Sequence, residues 1–463
     1  MEVKVLSKET IIPSSPTPPH LQTFQLSLLD QLSPMLYIPL LFFYSMKTNY
    51  GIEYQDPKKA IATLKNSLSK TLSRFYLLAG RIIDKSIHCN DKGAVFMEAS
   101  VSCNMIEILK EPNNEVLTKL LPCSLSCSKP VEEYAQIVVQ ANIFKCGGIA
   151  ISLCLLHKLI DGATFSCFLK SWATTNRALL SLDSSPNNMV RYDYKSFSSL
   201  FPQTNLLPFH QKLINNNNEV VVPSSTSTRN RRLRRFVFRS KAILDLKAKA
   251  KSSDVPNPTC VETLTGFIWK YAMKVADGYS SLRPSTLSHV VNIRKIIEPS
   301  LPEVSVGNIL WGAVAHYSTT SNEEFGNLEL SKLVILLRKS FEKIKKTDYI
   351  KELIMGSDKG RSKSVMKLVR EINKWPLSNY YFCTSWRNMN LNQVDFGWGK
   401  PIWIAIAGDS NELMSNVIVF IDNVLDDGSV EAWILLDEKE MELLEQNPQF
   451  LEFALLNPSI HLP

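Results

Sequence analysis

The sequence lacks a run of apolar residues long enough to cross a bilayer, which takes about 20 residues in a helix. The longest apolar run near its start extends from Leu36 to Tyr44 and is interrupted by Pro39. The opening segment, MEVKVLSKETIIPSSPTPPH, also lacks the apolar stretch of a secretory signal peptide. We therefore expect a cytoplasmic protein that has no membrane partner.

The sequence also lacks the cysteine spacing of a disulfide-rich secreted domain. Its nine cysteines are odd in number, and Cys154 and Cys167 lie within apolar runs. Cys123 and Cys127 form a C-x3-C pair, but no second pair follows that would complete a zinc site. We expect reduced thiols and no bound metal.

The excess of positive charge is small for the length of the chain. A net charge of +8 over 463 residues is mild for a nucleic-acid-binding protein, and no nucleic-acid partner is expected. The same charge suits an enzyme that binds a polyanionic cofactor. The length exceeds that of one typical domain and accommodates two.

Apolar periodicity predicts both helices and strands in the first half of the chain. Asp56 to Tyr76 and Thr164 to Leu180 have helical spacing. Gly147 to Leu156 is predicted to be a buried strand. Arg81 to Ile87 and Ala94 to Ala99 flank the turn sequence Asn-Asp-Lys-Gly, which predicts a β-hairpin between them.

Residues 183–230 differ from the rest in being rich in Ser and Asn, and we predict a crossover linker there. The linker would join an N-terminal domain, 1–182, to a C-terminal domain, 231–463. Because strands and helices alternate in both halves, the predicted fold class is α/β with two domains of similar size.

A histidine directly follows the apolar strand that ends at Leu156, in the sequence His157-Lys158-Leu159-Ile160-Asp161-Gly162. A loop at a strand end can present a reactive side chain rigidly. Histidine, with an unperturbed pKa of about 6.5, is suited to act as a general base on an alcohol. From this pattern alone, a packed histidine followed by a helix-capping aspartate is the favoured alternative.

A second motif, Asp395-Phe396-Gly397-Trp398-Gly399, lies between strand-like segments. Two glycines around a tryptophan indicate a tight, specific loop. With one aspartate and no other ionisable group, the motif predicts a structural turn with an aromatic anchor.

Together, the two motifs resemble the joint signature of the plant BAHD acyltransferases, in which H-x-x-x-D-G precedes D-F-G-W-G by about 240 residues. Further matching segments are LSLLDQ at 26–31, FYLLAGRI at 75–82, VNIR at 291–294 with the following L-P and G-N pairs, TSW at 384–386 and EAWILLDEKEM at 431–441. The chain departs from the family pattern at Leu78 and Leu156, neither of which replaces a catalytic group. Within the family, it looks closest to the alkaloid O-acetyltransferases.

The resemblance implies two chloramphenicol-acetyltransferase-like domains with mixed sheets and an active-site channel at their interface. It implies that His157 is the general base and that Thr384 and Trp386 stabilise the oxyanion. Asp161 would pair with Arg294 and hold the His157 loop in place. The residues expected to be structural are Arg294, Asp395, Gly397 and Gly399.

The resemblance implies that coenzyme A contacts Lys241, Lys247 and Thr384. In the family, the nucleotide binds near the strand-to-helix segment that here contains Lys241 and Lys247. The basic run from Arg229 to Arg235 could meet coenzyme A phosphates, but we expect a solvated loop face there. Cys383 is not expected to be a nucleophile, since a buried thiol is usually inert.

The predicted activity is transfer of acetyl from acetyl-CoA to a hydroxyl of a plant specialised metabolite, with a monoterpene indole alkaloid as the leading acceptor. Direct transfer would occur in a ternary complex within a monomer. The alternatives are malonyl-CoA or another donor with a terpenoid or phenolic acceptor, and a non-catalytic family member that binds ligand. A hydrolase is disfavoured because the sequence has no G-x-S-x-G nucleophile elbow.

Overall fold

The computed structural model describes residues 1–46, 56–127, 133–180, 191–204, 230–276, 284–298, 300–318, 328–346, 349–375, 379–408 and 416–461. Of the predicted linker, only 191–204 and residue 230 belong to these ranges. Within them, no helix is both long enough and apolar enough to cross a membrane.

The strands, in chain order, are β1 (Val3–Ile11), β2 (Thr23–Gln25), β3 (Tyr37–Tyr44), β4 (Arg81–Ile83), β5 (Ser86–His88), β6 (Ala94–Val101), β7 (Ile137–Phe144), β8 (Ile149–Leu156), β9 (Arg231–Phe238), β10 (Ser285–Asn292), β11 (Leu310–Tyr317), β12 (Tyr380–Ser385), β13 (Trp403–Ala405), β14 (Asn416–Asp422), β15 (Val430–Asp437) and β16 (Leu455–Leu456).

The α-helices are α1 (Leu28–Leu32), α2 (Pro57–Arg74), α3 (Met105–Lys110), α4 (Asn114–Thr118), α5 (Gly162–Leu179), α6 (Ser196–Leu200), α7 (Ser240–Ala250), α8 (Cys260–Val275), α9 (Leu330–Lys346), α10 (Tyr349–Met355), α11 (Asp358–Ile372), α12 (Glu438–Glu445) and α13 (Pro448–Leu451).

Two mixed sheets form the framework, as the α/β prediction requires. The first has six described strands in the order β1-β6-β7-β8-β3-β13, and the second has seven in the order β11-β10-β12-β14-β15-β9-β16. Every residue of β8 is buried, as expected for a strand in a sheet that is covered on both faces. In the second sheet, β12 runs parallel to both of its neighbours, whereas the other pairs are antiparallel.

One strand of the first sheet comes from the second half of the chain. β13 pairs antiparallel with β3, and Trp403 stacks on Phe43 with 5.2 Å between ring centroids. The segment predicted to belong wholly to the C-terminal domain therefore completes the sheet of the N-terminal half. The pairing of β13 with β3 connects the two halves of the chain next to the space between the sheets.

The predicted β-hairpin between Arg81–Ile87 and Ala94–Ala99 is wrong. β5 pairs with β4 and β2 in a small third sheet, whereas β6 pairs with β1 and β7. The intervening turn contains Gly93 at φ +75°, where a Cβ would lie 2.3 Å from the carbonyl oxygen of Ile11. Turn residues indicate a change of direction but do not determine which strands pair.

The predicted solvated loop at the basic run is also wrong for its described part, because Arg231–Arg235 belongs to β9. The buried Arg235 forms two hydrogen bonds with Glu431, Nε–Oε2 at 2.7 Å and Nη2–Oε1 at 2.9 Å. Arg232 pairs with Glu438 and Glu442. The acidic partners lie about 200 residues away along the chain, so a local reading of the basic run could not reveal this compensation.

Arg235→Met should destabilise the protein by about 3–5 kcal/mol, because it leaves the Glu431 carboxylate buried without its cation. Arg232→Met is the matched control in the same strand and should change stability little, since that pair is half-exposed. Urea unfolding followed by tryptophan fluorescence measures both. Equal effects of the two substitutions would contradict the burial of the Arg235 pair.

Candidate active site

A cavity of about 410 Å³ lies between the two sheets. Its walls are mostly apolar and come from both halves of the chain. The apolar lining residues include Leu36, Ile38, Leu155, Ile160 and Phe165 from the first half and Leu233, Val290, Val417, Val419 and Leu435 from the second. A mostly apolar cavity with a few polar groups is typical of a site for a small organic ligand.

His157 lies on the cavity wall, where β8 ends. Its backbone N–H donates to the carbonyl of Leu36 at 2.9 Å, and its own carbonyl accepts from the Asn308 amide at 2.9 Å. Burial lowers the pKa of His157, since desolvation disfavours the imidazolium ion, although nearby backbone carbonyls and the charge of Asp161 oppose the shift. The imidazole is therefore neutral near pH 7 and able to accept a proton.

Asp161 turns toward Arg294 and forms a buried ion pair with it. The guanidinium contacts both carboxylate oxygens, with Nη1–Oδ2 at 2.7 Å and Nη2–Oδ1 at 3.2 Å. The carboxylate also accepts from the backbone N–H groups of Thr164 and Ile309, and the former bond caps α5. Asp161 thus fastens the loop that carries His157 to the second half of the chain.

Thr384 and Trp386 line the same cavity from the end of β12. The backbone N–H of Trp386 donates to the carbonyl of Phe420 at 2.8 Å, which continues the pairing of β12 with β14. Gly162 leaves room for this wall, since a Cβ there would lie 2.5 Å from Met389 Cε and 3.7 Å from Trp386 Cδ1. The fold therefore brings His157, Thr384 and Trp386 to one cavity.

The loop formed by residues 395–399 does not line the cavity, as far as the described residues show. Asp395 Oδ1 accepts from the backbone N–H groups of Gly397 and Gly399 at 2.6 and 3.0 Å, and Oδ2 accepts from Arg177 at 2.7 Å. Both glycines have positive φ, +99° and +89°, a conformation that favours glycine. The carboxylate closes its own loop and attaches it to α5.

The two lysines expected to contact coenzyme A lie on α7 and are not among the cavity-lining residues. Lys241 is exposed and Lys247 is half-buried. Cys383 is buried on β12 outside the cavity lining, with its thiol 3.6 Å from the Thr265 hydroxyl. Burial raises the pKa of the Cys383 thiol to about 12, which keeps it protonated.

Sequence reasoning missed the role of Asn308 and Asp30 at this site. The Asn308 amide holds the His157 carbonyl, and Asp30 accepts from the Asn308 backbone N–H at 2.8 Å. Both residues lie in segments that carried the family resemblance, LSLLDQ and the G-N pair, but their spacing in the chain does not indicate that they meet.

The described residues offer no cluster of histidine, cysteine, aspartate and glutamate side chains that could hold a metal ion. An imidazole, a hydroxyl and an indole N–H around one mostly apolar cavity can move a proton and stabilise a developing oxyanion.

Comparison with known proteins gives a consistent picture. The chain matches the family model described as "Transferase family" over residues 1–451. It is 34% identical to akuammiline synthase 2 of Alstonia scholaris, with 100% of this chain and 99% of that protein covered. It is 36% identical to a limonoid 7-O-acetyltransferase of Citrus sinensis, with 99% of each covered.

Solved structures agree with the fold. The crystal structure of vinorine synthase matches with a TM-score of 0.79 and 27% identity, covering 99% of this chain and 100% of that one. An F. graminearum protein solved with coenzyme A and T-2 mycotoxin matches with a TM-score of 0.65 and 15% identity, covering 94% of this chain and 99% of that one. The second likeness bears on the fold alone.

Asp161→Asn should destabilise the protein by about 3–5 kcal/mol, because it leaves the Arg294 guanidinium buried without its counter-ion. Glu303→Gln is the matched control, since Glu303 forms an exposed ion pair with Lys295 one residue beyond Arg294. Chemical unfolding of both variants tests the difference. An Asp161→Asn protein as stable as the control would show that the ion pair does not hold the loop.

Proposed function

The chain belongs to the BAHD transferase family of acyl-CoA-dependent O-acyltransferases, and we propose that it transfers acetyl from acetyl-CoA to a hydroxyl of a polycyclic plant metabolite. The observation that carries the proposal is the position of the buried His157 on the wall of a large, mostly apolar cavity, where burial lowers its pKa. An indole alkaloid is the leading acceptor, in keeping with the akuammiline synthase relative. A limonoid alcohol is the second, in keeping with the limonoid 7-O-acetyltransferase.

In the proposed mechanism, His157 takes the proton of the acceptor hydroxyl as the oxygen attacks the thioester carbonyl. The tetrahedral oxyanion accepts hydrogen bonds from the Thr384 hydroxyl and the Trp386 indole N–H, both of which belong to residues on the cavity wall. The carbon–sulfur bond then breaks, and the departing thiolate receives the proton from His157. Transfer is direct, so no acyl-enzyme forms.

Acetyl is the preferred donor group because of the charge of the cavity wall. Among the described lining residues there is no lysine or arginine. The carboxylate of a malonyl group would enter a mostly apolar space without a counter-ion, which is unfavourable. A neutral acetyl group meets no such penalty.

Coenzyme A is proposed to contact Thr384 in the cavity and Lys241 and Lys247 on α7, where the exposed ammonium group of Lys241 suits a phosphate. We further propose a cytoplasmic monomer. One chain supplies both walls of the cavity, and none of the described cysteines forms a disulfide, as in proteins of a reducing compartment.

Purified protein with acetyl-CoA and a panel of hydroxylated indole alkaloids and limonoids should give a product heavier by one acetyl group, detected by mass spectrometry.

His157→Ala should lower kcat by about 10²–10⁴-fold, the usual contribution of a general base. His316→Ala is the control, since His316 lies on β11 and does not line the cavity. Near-normal turnover by His157→Ala would overturn the assignment of the base. Coenzyme A release that does not depend on an acceptor would indicate a hydrolase instead.

The pH dependence of kcat/KM should report the lowered pKa of His157. The base works in its neutral form, so activity should be constant near pH 7 and should fall only below the ordinary histidine pKa of 6.5. Initial rates from pH 5 to 8 measure this limb. An apparent pKa above 6.5 for the essential base would contradict it.

A further inference from the structure

Two buried polar atoms that have no hydrogen-bond partner among the described residues occur on residues that already contact each other. They are Nδ1 of His157 and Oδ1 of Asn308. The Asn308 amide nitrogen lies 2.9 Å from the His157 carbonyl oxygen, so the amide packs against the histidine itself. An unsatisfied buried polar atom is unfavourable, and here a donor and an acceptor could satisfy each other.

The neighbours of Asn308 fix the orientation of its side-chain amide. Its Nδ2 donates to the His157 carbonyl at 2.9 Å and to Asp30 Oδ1 at 3.3 Å. Both neighbours are acceptors, so turning the amide over would set its oxygen against a carboxylate and a carbonyl. Oδ1 of Asn308 therefore points away from both of these acceptors, and it is the atom of the amide that has no hydrogen-bond partner among the described residues.

We propose that Asn308 is a positioning residue for the reaction: its Oδ1 accepts a hydrogen bond from Nδ1–H of His157. This bond holds the tautomer in which Nε2 carries the free lone pair, and Asp30 holds the amide in turn. The inference rests on the proposed function, since it assigns Nε2 as the atom that takes the acceptor proton. Such bonds are often incompletely aligned in a ligand-free enzyme and tighten when the substrates bind.

A hydrogen bond from Nδ1–H of His157 to Asn308 Oδ1 should raise the pKa of His157, and the Asn308 side chain does act in that direction. The Asn308 side chain raises the pKa of His157, which an amide does through its oxygen, although burial has the larger, opposite effect. The carbonyls of His157 and Ile160 raise the pKa of His157 more than Asn308 does. The His157 carbonyl also accepts the Asn308 N–H, whereas Asn308 Oδ1 accepts no hydrogen bond from the described residues.

The titratable and charged groups around the His157 loop are Asp30, Tyr37, Lys158, Asp161 and Arg294. Asp161 and Arg294 pair with each other, and the Lys158 ammonium donates to the carbonyls of Gln31 and Ser33. The Tyr37 hydroxyl donates to the carbonyl of Ala135. Burial raises the pKa of Asp30 to about 6, so Asp30 is ionised at pH 7 and acts on the ring through Asn308.

The test is Asn308→Ala, compared with wild type and with Asn176→Ala as the matched control. Asn176 is also a buried asparagine whose amide joins the two halves, by donating to the carbonyl of Phe396, but its partners Ser67 and Phe396 do not line the cavity, whereas His157 does. Asn308→Ala should lower kcat about 10- to 100-fold, the range seen when a metal-binding histidine loses the hydrogen-bond partner that orients it. KM for acetyl-CoA should stay unchanged, and the acidic limb of kcat/KM should move to lower pH. The Asn176→Ala control should lose stability but should keep the wild-type kcat and the wild-type pH dependence of kcat/KM.

A second readout does not depend on catalysis. Nitrogen NMR of protein labelled with ¹⁵N-histidine, with His157 assigned from its His157→Gln spectrum, reports which ring nitrogen carries the proton. We expect a protonated Nδ1 in the wild type and a mixture of tautomers in Asn308→Ala. A bare Nδ1 in the wild type, or an Asn308→Ala protein with the wild-type tautomer, kcat and pH limb, would overturn the proposal.

The two readouts separate this inference from the proposed function. If no acceptor is acetylated, the tautomer measurement still decides the role of Asn308. If acetylation proceeds and Asn308→Ala is unaffected, only the inference fails. If Asn308→Ala does not fold, Asn308→Ser is tested in its place. If neither variant folds, the proposal is decided by whether Nδ1 of His157 carries the proton in the wild type.

Discussion

The ion pair between Asp161 and Arg294 is the constraint on which the site depends. Taking two charges out of water is unfavourable, and a buried pair is stable only when further hydrogen bonds surround it. Here they do: the carboxylate accepts two backbone N–H groups, and the guanidinium donates to the carbonyls of Ser305 and Gly307. The pair therefore fixes the start of α5 and the segment before β11 in one arrangement.

His157 takes its position from that arrangement. The Thr164 hydroxyl accepts from the Gly307 N–H, and the neighbouring Asn308 holds the His157 carbonyl. The histidine loop of one half is thus built against the second half at several points. In a mostly apolar cavity, the same burial that lowers the pKa of His157 also strengthens any hydrogen bond to a developing oxyanion.

Much of this site could be predicted from the sequence, but by resemblance rather than by spacing. The pattern around His157 alone favoured a packed histidine, and only the joint motifs linked Asp161 to Arg294, which lie 133 residues apart. Helix α5 begins two residues before its predicted start, because Asp161 itself is the N-cap. Contacts between distant residues that the resemblance does not imply could not be predicted. Arg235 looked like part of a solvated basic run, because its acidic partner Glu431 comes from another strand.

A double-mutant cycle on Asp161 and Arg294 tests the central claim most directly. Asp161→Asn, Arg294→Met and the double variant would be compared for unfolding free energy and for kcat. If the pair acts as one unit, the double variant should be little worse than the poorer single variant, so the coupling in stability should nearly equal the loss in the milder single variant, about 3 kcal/mol. Losses that simply add, in stability and in kcat alike, would contradict the account, because each residue would then act on its own.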